Sequence, residues 1–286
     1  MDEERVVSES AYVAFLSDYG LSDEFVGVCH GVIARRCPAA RVIDLTHEVP
    51  RHDVRAAALT LAAALAFLPA GVAMAVVDPE VGGPRRAVAL STREQRWHLV
   101  GPDNGLLMPA AERLGGVLEA VDIGMSTERL RPVSATFHGR DIFAPVAAAL
   151  ADGAALASLG TELSPAELVP LEMPQPHVSA DGLEAHVLRI DSFGNLSLDA
   201  RPEQLTVLGV EPGDALRVSL DGREHRARYT RTFKEVKAGA LLVFEDSQGA
   251  VALAVNRGSA AAMLGARTEQ ELLIARDRRA PGAATR

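Results

Sequence analysis

Six consecutive apolar residues, Val72-Ala73-Met74-Ala75-Val76-Val77, run straight into Asp78-Pro79. The run has no polar residue, so it lacks the alternation of a half-exposed strand. Its shortness and the Pro and Gly that follow set it apart from a buried helix. It reads as a strand covered on both faces, and such strands belong to parallel sheets clothed by helices on each side. The run ends by delivering a carboxylate, Asp78, into the turn Pro79-Glu80-Val81-Gly82-Gly83-Pro84, and Arg85-Arg86 follow. One acid and one guanidinium thus share a strand-end loop.

The flanking segments fit the same architecture. Strands are predicted at Tyr12–Leu16, Arg41–Leu45, Ala87–Ser91 and Trp97–Val100. Helical patterns cover 24–36, 54–67 and 141–151, and Gly101-Pro102-Asp103-Asn104-Gly105 is a turn leading into a further helix. Alternating strands and helices give an α/β N-terminal domain, residues 1–170, with a largely parallel central sheet. Pro170, Pro174 and Pro176 mark a linker at 171–182. Beyond it the pattern is β, in a smaller all-β C-terminal domain over 183–275. Ala215–Leu220 and Arg223–Tyr229 flank Asp221-Gly222, which predicts a hairpin with a type I′ turn. Residues 276–286 are expected to be a structureless tail.

Composition bounds the partners. A formal net charge of −9 argues against nucleic acid or an anionic membrane as partner. The longest apolar stretch, 56–70, is too short for a membrane span. No signal peptide is read at the start, and a cytoplasmic setting is expected. Cys29 and Cys37 lie eight apart without zinc-ligand spacing, and read as small buried apolar residues. No GxGxxG, P-loop, GxSxG or HExxH is present, which removes the common dinucleotide, nucleotide, serine-hydrolase and metalloprotease readings. His47-Glu48 and His52-Asp53 sit in a Pro-containing loop with no third ligand in sight, so no metal is predicted.

Ligands of open α/β sheets bind at the carboxyl ends of the strands. Polar groups load several of those ends here: Ser17-Asp18 with Asp23, the His47–Asp53 segment, Asp78 with Arg85, and Asn104. Thr136-Phe137-His138-Gly139-Arg140-Asp141 adds a histidine in a similar setting. Asp, Arg and His on neighbouring loops suit the activation of a small nucleophile such as water. In the C-terminal part, Asp191-Ser192-Phe193-Gly194-Asn195 offers an aromatic to stack a planar ring, with polar groups for its edge. Val255-Asn256-Arg257-Gly258-Ser259 leaves a strand and opens a helix, a loop rich in backbone donors.

Taken in order, these segments resemble the S-adenosylmethionine hydroxide adenosyltransferase family, the S-adenosylmethionine hydrolases related to fluorinating and chlorinating enzymes. The resemblance rests on Ser17-Asp18-Tyr19-Gly20, Asp44-Leu45-Thr46-His47, Val77-Asp78-Pro79 with Arg85-Arg86, Gly101–Gly105, Thr136–Asp141, Asp191 with Phe193-Gly194-Asn195, and Asn256 with Gly258-Ser259. It implies hydrolysis of S-adenosyl-L-methionine to adenosine and L-methionine, with no cofactor. The implied catalytic triad is Asp78, Arg85 and His138. Asp18 falls at the ribose hydroxyls and His52 against the sugar. Asp23, Asp191 and Ser247 fall near the methionine. Phe193 and Asn195 fall at the adenine, with backbone groups near Val255 and Arg257. Asn104 and Gly139 complete the expected substrate contacts. A homotrimer is implied, with each substrate held between neighbouring subunits.

Glu80 and His52 depart from the family pattern, His52 standing where relatives often carry an aromatic against the sugar. Glu80 replaces a usual glycine within the Asp78–Arg85 loop. The halogenating relatives carry Tyr-Ser where this chain has His138-Gly139, which favours water over halide. The alternatives are a halide-using adenosyltransferase and a non-catalytic adenosine-binding module.

Overall fold

A computed structural model describes residues 11–277. The chain divides between Glu172 and Met173 into two compact units. In the N-terminal unit the elements are β1 (Tyr12–Ser17), α1 (Phe25–Arg36), β2 (Arg41–Thr46), α2 (Val54–Leu65), β3 (Val72–Val76), β4 (Ala87–Thr92), β5 (His98–Pro102), α3 (Met108–Arg113), β6 (Val117–Asp122), α4 (Ala144–Ala151) and β7 (Thr161–Leu163). They form a seven-stranded sheet in the order β2-β1-β3-β5-β4-β6-β7.

The apolar run behaves as its composition requires. Every residue of β3 is buried, and alternate side chains enter two separate cores. Val72, Met74 and Val76 pack with α1 and α4, while Ala73, Ala75 and Val77 pack with α2 and α3. Strand β1 divides in the same way, Val13 and Phe15 to one side, Ala14 and Leu16 to the other. Helix α2 starts at Asp53, whose side chain accepts from Ala56 N at 2.8 Å, an ordinary N-cap.

The sheet corrects one expectation. It is mixed, with β2, β1, β3 and β5 parallel and β4, β6 and β7 antiparallel to their neighbours. The cause is loop length. Only 93–97 separate β4 from β5, too few for a parallel crossover, so the two form a hairpin. The reversal has a useful result. Because β4 runs back along the sheet, its first residues sit at the same edge as the last residues of β3. Arg85 is thereby returned to the edge where Asp78 leaves.

The second unit comprises β8 (His177–Ser179), β9 (Gly182–Ile190), β10 (Leu196–Leu198), α5 (Pro202–Val207), β11 (Ala215–Leu220), β12 (Arg223–Tyr229), β13 (Leu241–Glu245), β14 (Val251–Val255), α6 (Ala260–Leu264) and β15 (Glu271–Arg276). Its eight strands run β10-β14-β13-β12-β11-β15-β9-β8, and a further β9–β10 pairing closes the sheet into a barrel around one core. The hairpin at Asp221-Gly222 has φ of +47° and +73°, both positive as a type I′ turn demands. Strand β8 lies within the segment expected to be only a linker. Arg276 ends β15 rather than starting a tail, and residues 278–286 lie outside the described residues. No helix among the described residues is long and apolar enough to cross a membrane.

Candidate active site

The parallel strand order turns outward in opposite directions from β1 and β3, which makes their carboxyl ends the topological switch point. Ser17 pairs with Val76 across that line, so Asp18 and Asp78 leave the sheet at neighbouring places. Asn104, after β5, clamps the exit of β3. Its Nδ2 donates to Val77 O at 2.9 Å and its Oδ1 accepts from Leu106 N at 3.2 Å. Both ends of the amide hold backbone, so Asn104 shapes the site through β3.

Asp78, Arg85 and His138 form one chain of hydrogen bonds. Arg85 Nε donates to Asp78 Oδ1 at 2.9 Å, and its Nη2 pairs with Oδ2. Both side chains are almost wholly buried, 4 % and 6 % exposed, so this is a desolvated bidentate pair. Arg85 Nη2 also lies 2.8 Å from His138 Nδ1. A guanidinium only donates, so Nδ1 accepts, and a neutral His138 carries its proton on Nε2. Burial lowers the pKa of His138, and the adjacent Arg85 lowers it further, against the opposing pull of Asp78 and Asp141. Arg85 also stacks over Phe143, 5.4 Å from the ring centroid. Its neighbour Arg86 points the other way, as strand alternation requires, and binds Asp103 and the backbone of Glu167.

Local backbone features bring the two loops together. Gly82 has φ of +76°, and a Cβ there would collide with the carbonyl of Ala135. Only glycine lets the Asp78–Arg85 loop approach the segment that leads to His138. Glu80 is exposed and leaves the Asp78–Arg85 pair intact. His138 caps a π-helical turn, Gly139–Phe143, that runs into α4. Such widened turns recur at functional sites, where they redirect a side chain.

Tyr19 is a neighbour that sequence reasoning passed over. Its ring sits edge-on to Phe15 and Phe137, and a Cβ on Gly139 would collide with its hydroxyl. Burial is the largest influence raising its phenol pKa well above 10, with Asp18 and Asp78 adding to it. Tyr19 therefore stays protonated and walls the space beside His138. Asp18 Oδ2 accepts from the backbone N–H of His52 at 3.0 Å, and His52 has a left-handed φ of +65°. Asp23 is exposed on the loop before α1. His47, read as lacking metal partners, in fact meets His30 and Asp44.

The remaining predicted residues assemble separately, on the second unit. Asp191, Phe193, Asn195, Ser247, Val255 and Arg257 all line one pocket of about 610 Å³. That is the size of pockets that hold ligands of a few hundred daltons. Asp191 organises its rim: Oδ1 accepts from the N–H groups of Phe193 and Asn195, and Oδ2 from Asn195 Nδ2 at 2.8 Å. Phe193 is 76 % exposed, an aromatic face held out on a braced turn. Gly194, with φ of +80°, packs so tightly on Ser259 that a Cβ would collide with its hydroxyl. Phe233 and Phe244, rings 5.1 Å apart, extend the aromatic lining. They had no turn or charge signal to reveal them.

Fold and site together define a two-domain protein, an α/β unit with a switch-point Asp–Arg–His chain and a β-barrel with an aromatic-lined pocket. This is the class of α/β enzyme that works on small molecules. Residues 13–160 match the SAM hydroxide adenosyltransferase N-terminal domain and residues 185–273 its C-terminal domain, so the chain belongs to the SAM hydroxide adenosyltransferase family. It is 50% identical over 259 residues to the (R)-S-adenosyl-L-methionine hydrolase of Salinispora tropica, covering 91% of this chain and 95% of that one. The fluorinase of Nocardia brasiliensis is more distant, 30% identical over 87% of this chain and 91% of its own. A crystal structure of a conserved protein from Thermotoga maritima superposes with a TM-score of 0.86 at 38% identity, covering 92% of this chain and all of that one.

Proposed function

We propose that this protein hydrolyses S-adenosyl-L-methionine to adenosine and L-methionine by attack of a water-derived oxygen on the 5′ carbon. The observation that carries this reading is the buried chain from Asp78 through Arg85 to His138. The similarity to (R)-S-adenosyl-L-methionine hydrolases over nearly the whole chain supports it.

Methionine leaves as a neutral thioether, so the leaving group needs no proton. The nucleophile is the difficulty. Bulk water has a pKa of about 15.7 and imidazole about 6.5, a gap of roughly 9 units or about 12 kcal/mol. Deprotonation by a carboxylate is costlier still. Free hydroxide formed in advance is therefore unaffordable, and the proton leaves as the carbon–oxygen bond forms. The hydrogen-bond pattern divides the labour. His138, its Nδ1 engaged by Arg85, presents Nε2–H as a donor to one lone pair of the attacking water and so orients the other toward the carbon. Asp78 retains acceptor capacity beyond Arg85 and takes the proton. The protonated alcohol is a far stronger acid than a carboxylic acid, so that transfer runs downhill. No metal or cofactor enters the step.

Asp18 and His52 would hold the ribose, Asp23, Asp191 and Ser247 the methionine, and Phe193 and Asn195 the adenine, with backbone groups of Val255 and Arg257. A homotrimer with sites at subunit interfaces is part of the proposal, checked by light scattering on the eluted protein. Cys29 and Cys37 are buried free thiols, which suits a reducing compartment, and the cytoplasm is the setting proposed.

The direct test is chromatography of S-adenosyl-L-methionine incubated with pure protein. Equimolar adenosine and methionine are expected. Formation of 5′-halo-adenosine in chloride or fluoride would point to the halogenating chemistry named for the fluorinase relative. Adenosine binding without turnover would sink the enzymatic reading.

A further inference from the structure

We infer that His30, Asp44 and His47 form a binding site for a divalent metal ion of the zinc class, on the N-terminal unit and outside the Asp78–Arg85–His138 group. The three residues come from α1, from β2 and from the turn just after β2. Asp44 Oδ1 lies 2.9 Å from His30 Nε2 and 2.9 Å from His47 Nε2. All three ligand atoms lie within 4.8 Å of one another.

His47 is the informative member. It is 3 % exposed, yet its Nε2 makes no well-directed hydrogen bond. The nitrogen is close to the Asp44 carboxylate, but off the line an N–H bond would need. A buried imidazole nitrogen in that state costs stability unless something accepts its lone pair. Its other nitrogen, Nδ1, is 2.7 Å from the hydroxyl of buried Ser17. That hydroxyl accepts from Tyr19 N at 3.3 Å and can accept from Nδ1–H as well. Protonation at Nδ1 leaves Nε2 with a free lone pair beside the Asp44 carboxylate and within reach of the His30 ring. An outer partner that fixes the tautomer in this way is what metal-bound histidines use. Phe15 packs edge-on to His47, ring centroids 4.5 Å apart, and fixes the plane of the imidazole.

The donor set selects the ion. Two imidazoles and one carboxylate oxygen match zinc sites that keep one position open. Calcium and magnesium prefer all-oxygen shells. Metal–ligand bonds of about 2.0–2.2 Å place tetrahedral ligand atoms roughly 3.4 Å apart, so the 2.9 Å separations open by a few tenths of an ångström. The side chains of His30 and Asp44 are 35 % and 40 % exposed, which leaves solvent to supply the fourth ligand. Such an ion would tie α1 to the end of β2, beside the loop that carries Asp18.

The test uses the full chain without a polyhistidine tag, stripped of metal and dialysed against zinc chloride, with bound zinc measured by mass spectrometry. One zinc per chain is expected in the wild type. His30→Ala and Asp44→Asn should each lose that zinc, and Ser17→Ala should weaken binding by about 10- to 100-fold. His30 is partly exposed, so its replacement leaves a folded protein even where His47→Ala does not. Cobalt should give visible ligand-field bands that disappear in His30→Ala. Absence of bound zinc in the wild type, or equal zinc in wild type and His30→Ala, overturns the proposal.

Discussion

Gly139 gives the sharpest handle on how this site is built. A methyl group there would collide with the hydroxyl of Tyr19, and would lie 3.1 Å from Tyr19 Cζ and 3.3 Å from Cε2. Tyr19 has little room to retreat, because Phe15, Phe25 and Phe137 surround its ring with centroids 5.8–6.4 Å away. Gly139→Ala should therefore overpack the site at about 1–3 kcal/mol. His138 precedes the new side chain, so strain relieved by moving the backbone moves the imidazole. A displacement of about 1 Å costs on the order of 100-fold in turnover. Removing the hydroxyl removes the worst contact and leaves the 3.1 Å approach to Cζ, which a small ring shift accommodates. Tyr19→Phe with Gly139→Ala should then recover most of the lost stability. The assay is a double-mutant cycle by urea denaturation, with turnover measured on the same four proteins. A favourable coupling of about 1 kcal/mol or more is expected. Equal destabilisation by Gly139→Ala in the two backgrounds would refute the argument, because the Tyr19 hydroxyl would then not be what excludes a side chain.

Arg85→Ala leaves the Asp78 carboxylate buried without its partner, which should cost about 3–5 kcal/mol in urea denaturation and abolish most turnover. Arg85→Lys should restore stability better than turnover, since an ammonium lacks the fork that reaches Asp78 and His138 together. The lowered pKa of His138, set by burial and then by Arg85, keeps the imidazole more fully neutral near pH 6.5 than a free histidine would be. Protonation would put an N–H against the guanidinium, so kcat/KM should hold as pH falls to 6.5 and decline only below it. The same shift makes the unfolded chain the better proton acceptor, so stability also falls as pH drops through about 6.5, visible as a lower urea midpoint. Phe193→Ala, at an exposed position, should leave the melting temperature unchanged while raising KM by about 5- to 150-fold, the worth of one base–aromatic stack at 1–3 kcal/mol.

The sequence made some parts of this molecule plain and hid others for physical reasons. Asp78 was legible because an apolar strand broken by a carboxylate and a Pro/Gly turn has few readings. The Asp221-Gly222 hairpin was legible because a two-residue turn with both φ positive restricts its residues. Strands β7, β8 and β10 are three residues each, too short for any period to emerge. Strand β15, Glu-Leu-Leu-Ile-Ala-Arg, has no strict alternation, and only its partners β9 and β11 make it a strand. The π-helical turn at Gly139 leaves no mark on the hydrophobic pattern at all.

What the sequence could not reveal is proximity between segments far apart in the chain, and the chemistry depends on it. Asp78 and Arg85 are joined by one loop, but their pairing required β4 to run backwards against β5, a direction that the expectation of a largely parallel sheet with a strand pair at 87–91 and 97–100 left unstated. His138 then reaches Arg85 only because Gly82 admits the carbonyl of Ala135. The same logic applies at Tyr19 and Gly139, and at His30, Asp44 and His47. Residue types were readable one by one, whereas the directions of the hydrogen bonds were not. Those directions are what the proposed mechanism rests on: with Nδ1 of His138 accepting from Arg85, the histidine is placed to donate, and the proposal therefore gives the proton to Asp78.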